Sequence, residues 1–312
     1  MRTTAILWLG LLPVLCGIGL QGAPIFYSIS GDMAGIPRQF NSISIAGAGT
    51  VSSPFNLGDG SAGFTGGLTY RASDNKFYAI YSGGDGSSTL SSFSLGGSGA
   101  VSSLFAVGNG FSGGLAFDGA DGFFYALSQD FNGFSTLNRI SLAGNVNPLF
   151  GLGLGFTGGL TFDSADGFFY ALSQDANGFS ALNRISLAGN VSALFGLGFG
   201  FTGGLTFNPA DSFFYAISND NLANSALNRI SLAGSVTTLP VVLGQGYEAS
   251  GLTVVNSVSI VPEPSTLSLI ALGSMLIGLG IARRRRDGNA KIWRTHRCAL
   301  TLPGASGKHR AP

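Results

Sequence analysis

The sequence predicts an all-β fold, a five-bladed β-propeller built from four-stranded repeats of about 45 residues. Three observations predict it. Gly-Phe-(Thr/Ser)-Gly-Gly-Leu recurs at Gly63, Gly110, Gly155 and Gly200, at spacings of 47, 45 and 45 residues. Each unit carries a run such as Phe168-Phe169-Tyr170-Ala171-Leu172, apolar at successive rather than alternate positions. Such a strand is covered on both faces, as in a blade packed between two neighbours. The two ends of the chain also supply complementary parts of one further repeat.

Taken in order, residues 1–22 have the layout of a secretory signal peptide. A positive Arg2 precedes an almost wholly apolar stretch, and polar character returns at Gln21. Signal peptidase is the expected first partner, with cleavage after Gly22. The body, 24–260, then opens on a partial repeat. Phe26-Tyr27-Ser28-Ile29 aligns with Phe169-Tyr170-Ala171-Leu172, and Ser42-Ile43-Ser44-Ile45-Ala46-Gly47 aligns with Arg184-Ile185-Ser186-Leu187-Ala188-Gly189. Residues 51–57 match a fourth strand. The missing first strand reappears as Ser250-Gly251-Leu252-Thr253-Val254. The closing blade is therefore 25–60 plus 246–256, and four continuous repeats lie between: 63–109, 110–154, 155–199 and 200–245. The second and third of these differ at only 8 of 45 positions. An open solenoid is the competing architecture, and the split blade argues against it because it ties the ring shut.

Within 155–199 the expected strands are 159–162, 168–173, 182–187 and 191–197. Turn signals Asp166-Gly167, Asn177-Gly178 and Gly189-Asn190 separate them. The paired glycines opening each first strand suit the crowded axis, where blades converge and side chains have least room.

The body holds six basic and thirteen acidic residues, a net charge of −7. An acidic surface repels phosphate backbones, which excludes nucleic acid as a natural partner. The body also lacks Cys, His and Trp. Disulfides, the commonest zinc ligand and the commonest general base are absent with them. Glu248 is the body's single Glu, and glycoside hydrolysis generally needs a pair of carboxylates. No catalytic residue, no resident metal and no enzyme activity are expected.

Three repeated features invite chemistry. Asp118/Asp121 and Asp163/Asp166 precede or enter Asp-Gly hairpin turns, and an accepting role toward turn backbone fits them better than calcium ligation. The loop between second and third strands carries Asp85 in one repeat, then Asp130 and Asn132, Asp175 and Asn177, and Asp220 and Asn221. These loops project from one face of a propeller. Their Asp and Asn side chains suit sugar hydroxyls or Ca²⁺, against the plainer reading of solvated turns. Arg139, Arg184 and Arg229 occupy one position on the third strand, each after Asn, where a bidentate ion pair with a nearby Asp is expected.

Near the C-terminus the chain reads Val261-Pro262-Glu263-Pro264-Ser265-Thr266, an uncharged stretch over 265–282, and then Arg283, Arg284, Arg285 and Arg286. As a helix, the 18 uncharged residues span about 27 Å, enough for a thin hydrocarbon core. The arginines then hold that end on the cytoplasmic side. In this order the segment resembles the PEP-CTERM sorting signal. The resemblance implies a Gram-negative host that makes exopolysaccharide, and export through the inner membrane with transient anchoring by the 265–282 helix. It also implies cleavage by a membrane exosortase and delivery to the cell surface or extracellular matrix. The basic segment 287–312 departs from that pattern, which usually stops near the arginines, and it carries no assigned role. The expected function is structural or adhesive, with exopolysaccharide as the candidate ligand of the second-to-third-strand loops. A secreted carbohydrate-active hydrolase and a ligand-free spacer are the alternatives.

Overall fold

The computed structural model describes residues 23–256, apart from 32–37, 59–62, 96–99, 112, 157, 221, 223 and 248–250. The signal peptide 1–22, the sorting segment 261–286 with its 265–282 helix, the 287–312 segment, Asn221 and Glu248 lie outside the described residues. Among those described there is no helix, and none therefore that could cross a membrane.

Twenty strands form five antiparallel four-stranded sheets. The N-terminus gives β1 (Ile25–Ser30), β2 (Arg38–Ser44) and β3 (Thr50–Gly58). The first continuous blade is β4 (Gly63–Arg71), β5 (Lys76–Ser82), β6 (Ser87–Phe93) and β7 (Ser102–Asn109). The second is β8 (Leu115–Asp118), β9 (Phe123–Gln129), β10 (Phe134–Ile140) and β11 (Val146–Leu154). The third is β12 (Leu160–Asp163), β13 (Phe168–Gln174), β14 (Phe179–Ile185) and β15 (Val191–Phe199). The fourth is β16 (Leu205–Asn208), β17 (Phe213–Asn219), β18 (Asn224–Ile230) and β19 (Val236–Gln245), and β20 (Leu252–Val255) ends the series. β20 pairs with β1, with Ile25 opposite Val255 and Ser28 opposite Leu252, so the two chain ends complete the fifth blade as the sequence predicts.

The third strand of a blade begins earlier and ends sooner than the sequence suggests. In the third blade it is Phe179–Ile185 rather than 182–187. Gly178 turns the chain at φ +84°, and Phe179 pairs at once with Phe199 on the fourth strand. At the other end Ser186 leaves the ladder to turn the chain back, with Gly189 N–H donating to its carbonyl at 2.9 Å.

Closure of the ring is written in its glycines. A Cβ on Gly67 would meet Leu115 N at 2.0 Å, and one on Gly114 would meet Leu160 N at 2.0 Å. The same holds from Gly159 to Leu205 (2.0 Å), Gly204 to Leu252 (2.2 Å) and Gly251 back to Leu68 (2.1 Å). Five first strands thus touch in a closed cycle that only glycine permits. Gly67, Gly114 and Gly159 N–H groups donate to the carbonyls of Gly113, Gly158 and Gly203 at 2.8, 3.1 and 3.3 Å. At the seam, Arg38 Nη1 adds a 2.7 Å bond to the carbonyl of Phe64.

The successive apolar residues of the second strand serve two cores. Phe169 and Ala171 pack toward the second blade, while Tyr170 and Leu172 pack toward the fourth. Five such clusters occupy the five blade interfaces. Neighbouring blades also interlock through rings: Tyr125 lies 4.5 Å from Phe169, and Tyr170 lies 4.6 Å from Phe214, centroid to centroid.

Candidate functional site: two unlike faces

Antiparallel strands place the turns between first and second strands on one face and the loops between second and third strands on the other. The first face is locked. Asp118 Oδ1 accepts the Ala120 N–H at 2.8 Å, and Asp163 Oδ1 accepts that of Ala165 at 2.9 Å. Asn208 repeats the contact in the fourth blade at 3.1 Å. Asp121, Asp166 and Asp211 each accept a backbone N–H at the start of the second strand and a tyrosine hydroxyl from within it. The phenol bonds are Tyr125 to Asp121 and Tyr170 to Asp166 at 2.5 Å, and Tyr215 to Asp211 at 2.6 Å. Tyr78 and Asp74 make the same 2.5 Å bond in the first blade. Burial, and then donation to these carboxylates, pushes all four phenols above their ordinary range. The acid pairs are turn builders.

The repeated arginines correct an expectation. No ion pair joins Arg139, Arg184 or Arg229 to a carboxylate among the described residues, where the one pair is Arg71 with Asp74 at 3.6 Å. Each guanidinium instead lies over a ring at the head of the neighbouring second strand. Arg139 sits 4.4 Å from the Phe123 centroid, Arg184 4.1 Å from Phe168 and Arg229 4.4 Å from Phe213. The nearby Asp oxygens already serve the turn and the tyrosine, so the cation takes the π face left beside it. The Asn before each Arg has a role the sequence did not reveal. Asn183 Nδ2 donates to Ser173 Oγ at 2.8 Å and to the Ala181 carbonyl at 3.2 Å, tying the third strand to the second.

On the opposite face lie the candidate ligand loops. Their carboxylates hold a common local geometry. Asp130 Oδ1 accepts N–H bonds from Asn132 and Phe134, both at 2.9 Å. Asp175 does so from Asn177 and Phe179 at 2.9 and 2.8 Å, and Asp220 from Leu222 and Asn224, both at 2.8 Å. Asp85 accepts from Ser87 N–H at 3.0 Å and Ser87 Oγ at 2.6 Å. The Ser87 hydroxyl, then its N–H, holds the Asp85 carboxyl below the usual carboxylate range, and the Asn224 side-chain amide (3.0 Å to Oδ2), then the backbone N–H bonds, does so for Asp220. The structure leaves the loops on separate blades. Among the described residues no three carboxylate, His or Cys side chains gather as a metal site would require.

Exposed aromatic rings on this same face escaped the sequence reading. Phe131 is 97% exposed, Phe179 57% and Phe134 51%, and Phe199 is half exposed. Phe134 faces Leu154 across the strand pair, and Phe179 faces Phe199 with ring centroids 6.4 Å apart. Beside Phe199 a recess of about 420 Å³ is lined by Asn219, Asp220 and Asn224 of the next blade. One signal for these rings was available. They sit where a strand meets its hairpin, beyond the reach of the blade interfaces, so apolar character there is not explained by the core.

Fold and faces together define a five-bladed propeller with one locked rim and one decorated rim. Residues 261–286 match the PEP-CTERM protein-sorting motif. That motif implies an exported protein with a membrane-anchored C-terminal sorting signal that exosortase processes. No curated protein matches the chain. Among solved structures it is similar to a chain of a nidogen/laminin complex, at 12% identity and TM-score 0.49, over 75% of this chain and 98% of that one. It is also similar to TolB from Acinetobacter baumannii at 14% identity and TM-score 0.48, over 75% of this chain and 56% of that one. The SapL1 lectin, solved with alpha methyl fucoside, gives 9% identity and TM-score 0.46, over 71% and 82%. At these identities the likeness is one of fold and brings no activity with it.

Proposed function

We propose that this is a non-enzymatic surface or matrix protein that binds exopolysaccharide through its decorated rim. The observation that carries the reading is the row of exposed phenyl rings on the face that also presents the Asp and Asn loops. An apolar ring packs against the C–H face of a sugar, while an amide or carboxylate takes its hydroxyls. Loops on several blades would engage one polymer at once, and weak sites gain by such avidity. Among the described residues, the carboxylates on both faces accept bonds from turn backbone and tyrosines, which supports a structural rather than acid/base role for them. Calcium is not needed in this reading, since each loop is already braced by its own bonds.

The test is retention of the exported full-length chain on the host's exopolysaccharide, with release of sugars assayed in parallel. Retention that weakens in Phe131→Ser, Phe134→Ser and Phe179→Ser is the expected result. Sugar release would replace the reading with a hydrolase. Unchanged retention in the triple variant would sink the decorated-rim site.

A further inference from the structure

The propeller axis holds a second cavity, of about 200 Å³, that the rim does not reach. Its walls are the five first strands. They crowd together at the glycine pairs and diverge toward the locked rim, where Pro209 and Asn256 mark the mouth. Thr69, Thr161, Thr206 and Thr253 occupy one register position in four of the five strands, and Ala116 takes it in the fifth. Each threonine is only 6–8% exposed. Thr161 Oγ1 accepts the Phe207 N–H of the next blade at 3.1 Å. Thr69, Thr206 and Thr253 line the cavity as well.

Hydroxyls that line a cavity offer hydrogen bonds to water or to a ligand that enters it. The cavity has room for roughly six or seven waters at about 30 Å³ each. A single sugar ring carries about as many oxygens as the waters it would displace, and it can replace their hydrogen bonds one for one. Phe162 and Phe207 supply apolar wall for its C–H faces. Among the described residues no basic side chain lines the cavity, and Asp118 and Asp163 end two of its strands, which disfavours an anion. Both carboxylates already accept turn N–H bonds.

We infer that the axial cavity is a binding site for one neutral monosaccharide unit, separate from the decorated rim and on the opposite face. The threonine ring supplies its hydrogen bonds.

The test titrates the full-length chain in detergent with D-glucose and D-galactose, using D-glucuronate as the anionic control. One saturable site for a neutral hexose is expected, with glucuronate much weaker. Thr206→Val keeps the shape and removes one hydroxyl, so affinity should fall about tenfold with the thermal midpoint unchanged. Ala116→Thr completes the ring and should tighten binding; it also serves as the reading if Thr206→Val does not fold. Asp220→Ala and Phe199→Ser on the other face should leave the titration as it was. No saturable binding, equal binding of glucuronate, or loss confined to the rim variants would each overturn the inference. The decorated-rim reading would stand or fall separately, on polymer retention.

Discussion

The two rims use the same repeated grammar to different ends. On the locked rim, four blades repeat not only the carboxylate but its partner: an Asp receives a tyrosine hydroxyl from the second strand in each. The closing blade lacks this lock, because its first and second strands come from opposite chain ends and no turn joins them. On the decorated rim the internal Asp bonds also repeat, but the outward side chains do not. The place held by Phe131 in one blade is Ala176 in the next. Phe134 and Phe179 give way to Asn224 and Ser87. Positions that repeat with their partners build the ring. Exposed positions that vary from blade to blade are free of that duty, and there a binding surface can be placed.

If that division is right, damage should rank from the axis, through the locked rim, to the decorated rim. Gly159→Ala should be the worst change. Its Cβ would fall 2.0 Å from the Leu205 backbone N, which cannot yield without parting two blades. We expect loss of the cooperative thermal transition and rapid proteolysis. A folded Gly159→Ala protein would break the account of closure. Leu172→Ala, in the interface between the third and fourth blades, should cost about 2–5 kcal/mol in denaturant unfolding.

On the locked rim, Tyr170→Phe should cost about 0.5–1.5 kcal/mol, because it removes the bond to Asp166 while water takes the donor's place on that exposed carboxylate. The same tyrosines set an alkaline limit. Their folded pKa values are raised, so the unfolded chain releases these protons first. Their contribution is complete below the unfolded value of about 10 and is lost as pH rises through the folded value. Unfolding midpoints should therefore fall above about pH 10, and less steeply in Tyr170→Phe. An alkaline arm identical to wild type would detach the lock from stability.

The decorated rim should yield the smallest structural effects. Phe131→Ser, at a residue 97% exposed, should change stability by no more than about 0.5 kcal/mol while reducing polymer retention. A large loss of stability there would erase the contrast between the rims.

Much of this was legible from the chain. Repeat spacing gave the blades, successive apolar residues gave strands buried on both faces, and the misplaced Gly-Leu strand near residue 251 gave closure. The sorting segment was readable because its information is linear: a tripeptide, an apolar run and a charge cluster. The arginines were misread because sequence shows which charges exist but not which are already engaged. Asp121, Asp166 and Asp211 were taken by tyrosines four residues on, and the guanidinium settled on a ring instead.

What the sequence determined by itself is whatever local pattern and repetition encode: strand identity, blade number and the sorting motif. Tertiary structure alone decided which hydroxyls and rings face solvent or a cavity. Neither the threonines at the axis nor the phenylalanines at the rim carry a linear mark of where they face. Only ring closure, by pressing five first strands together at their glycines, turned one set inward around a cavity and left the other at the open edge.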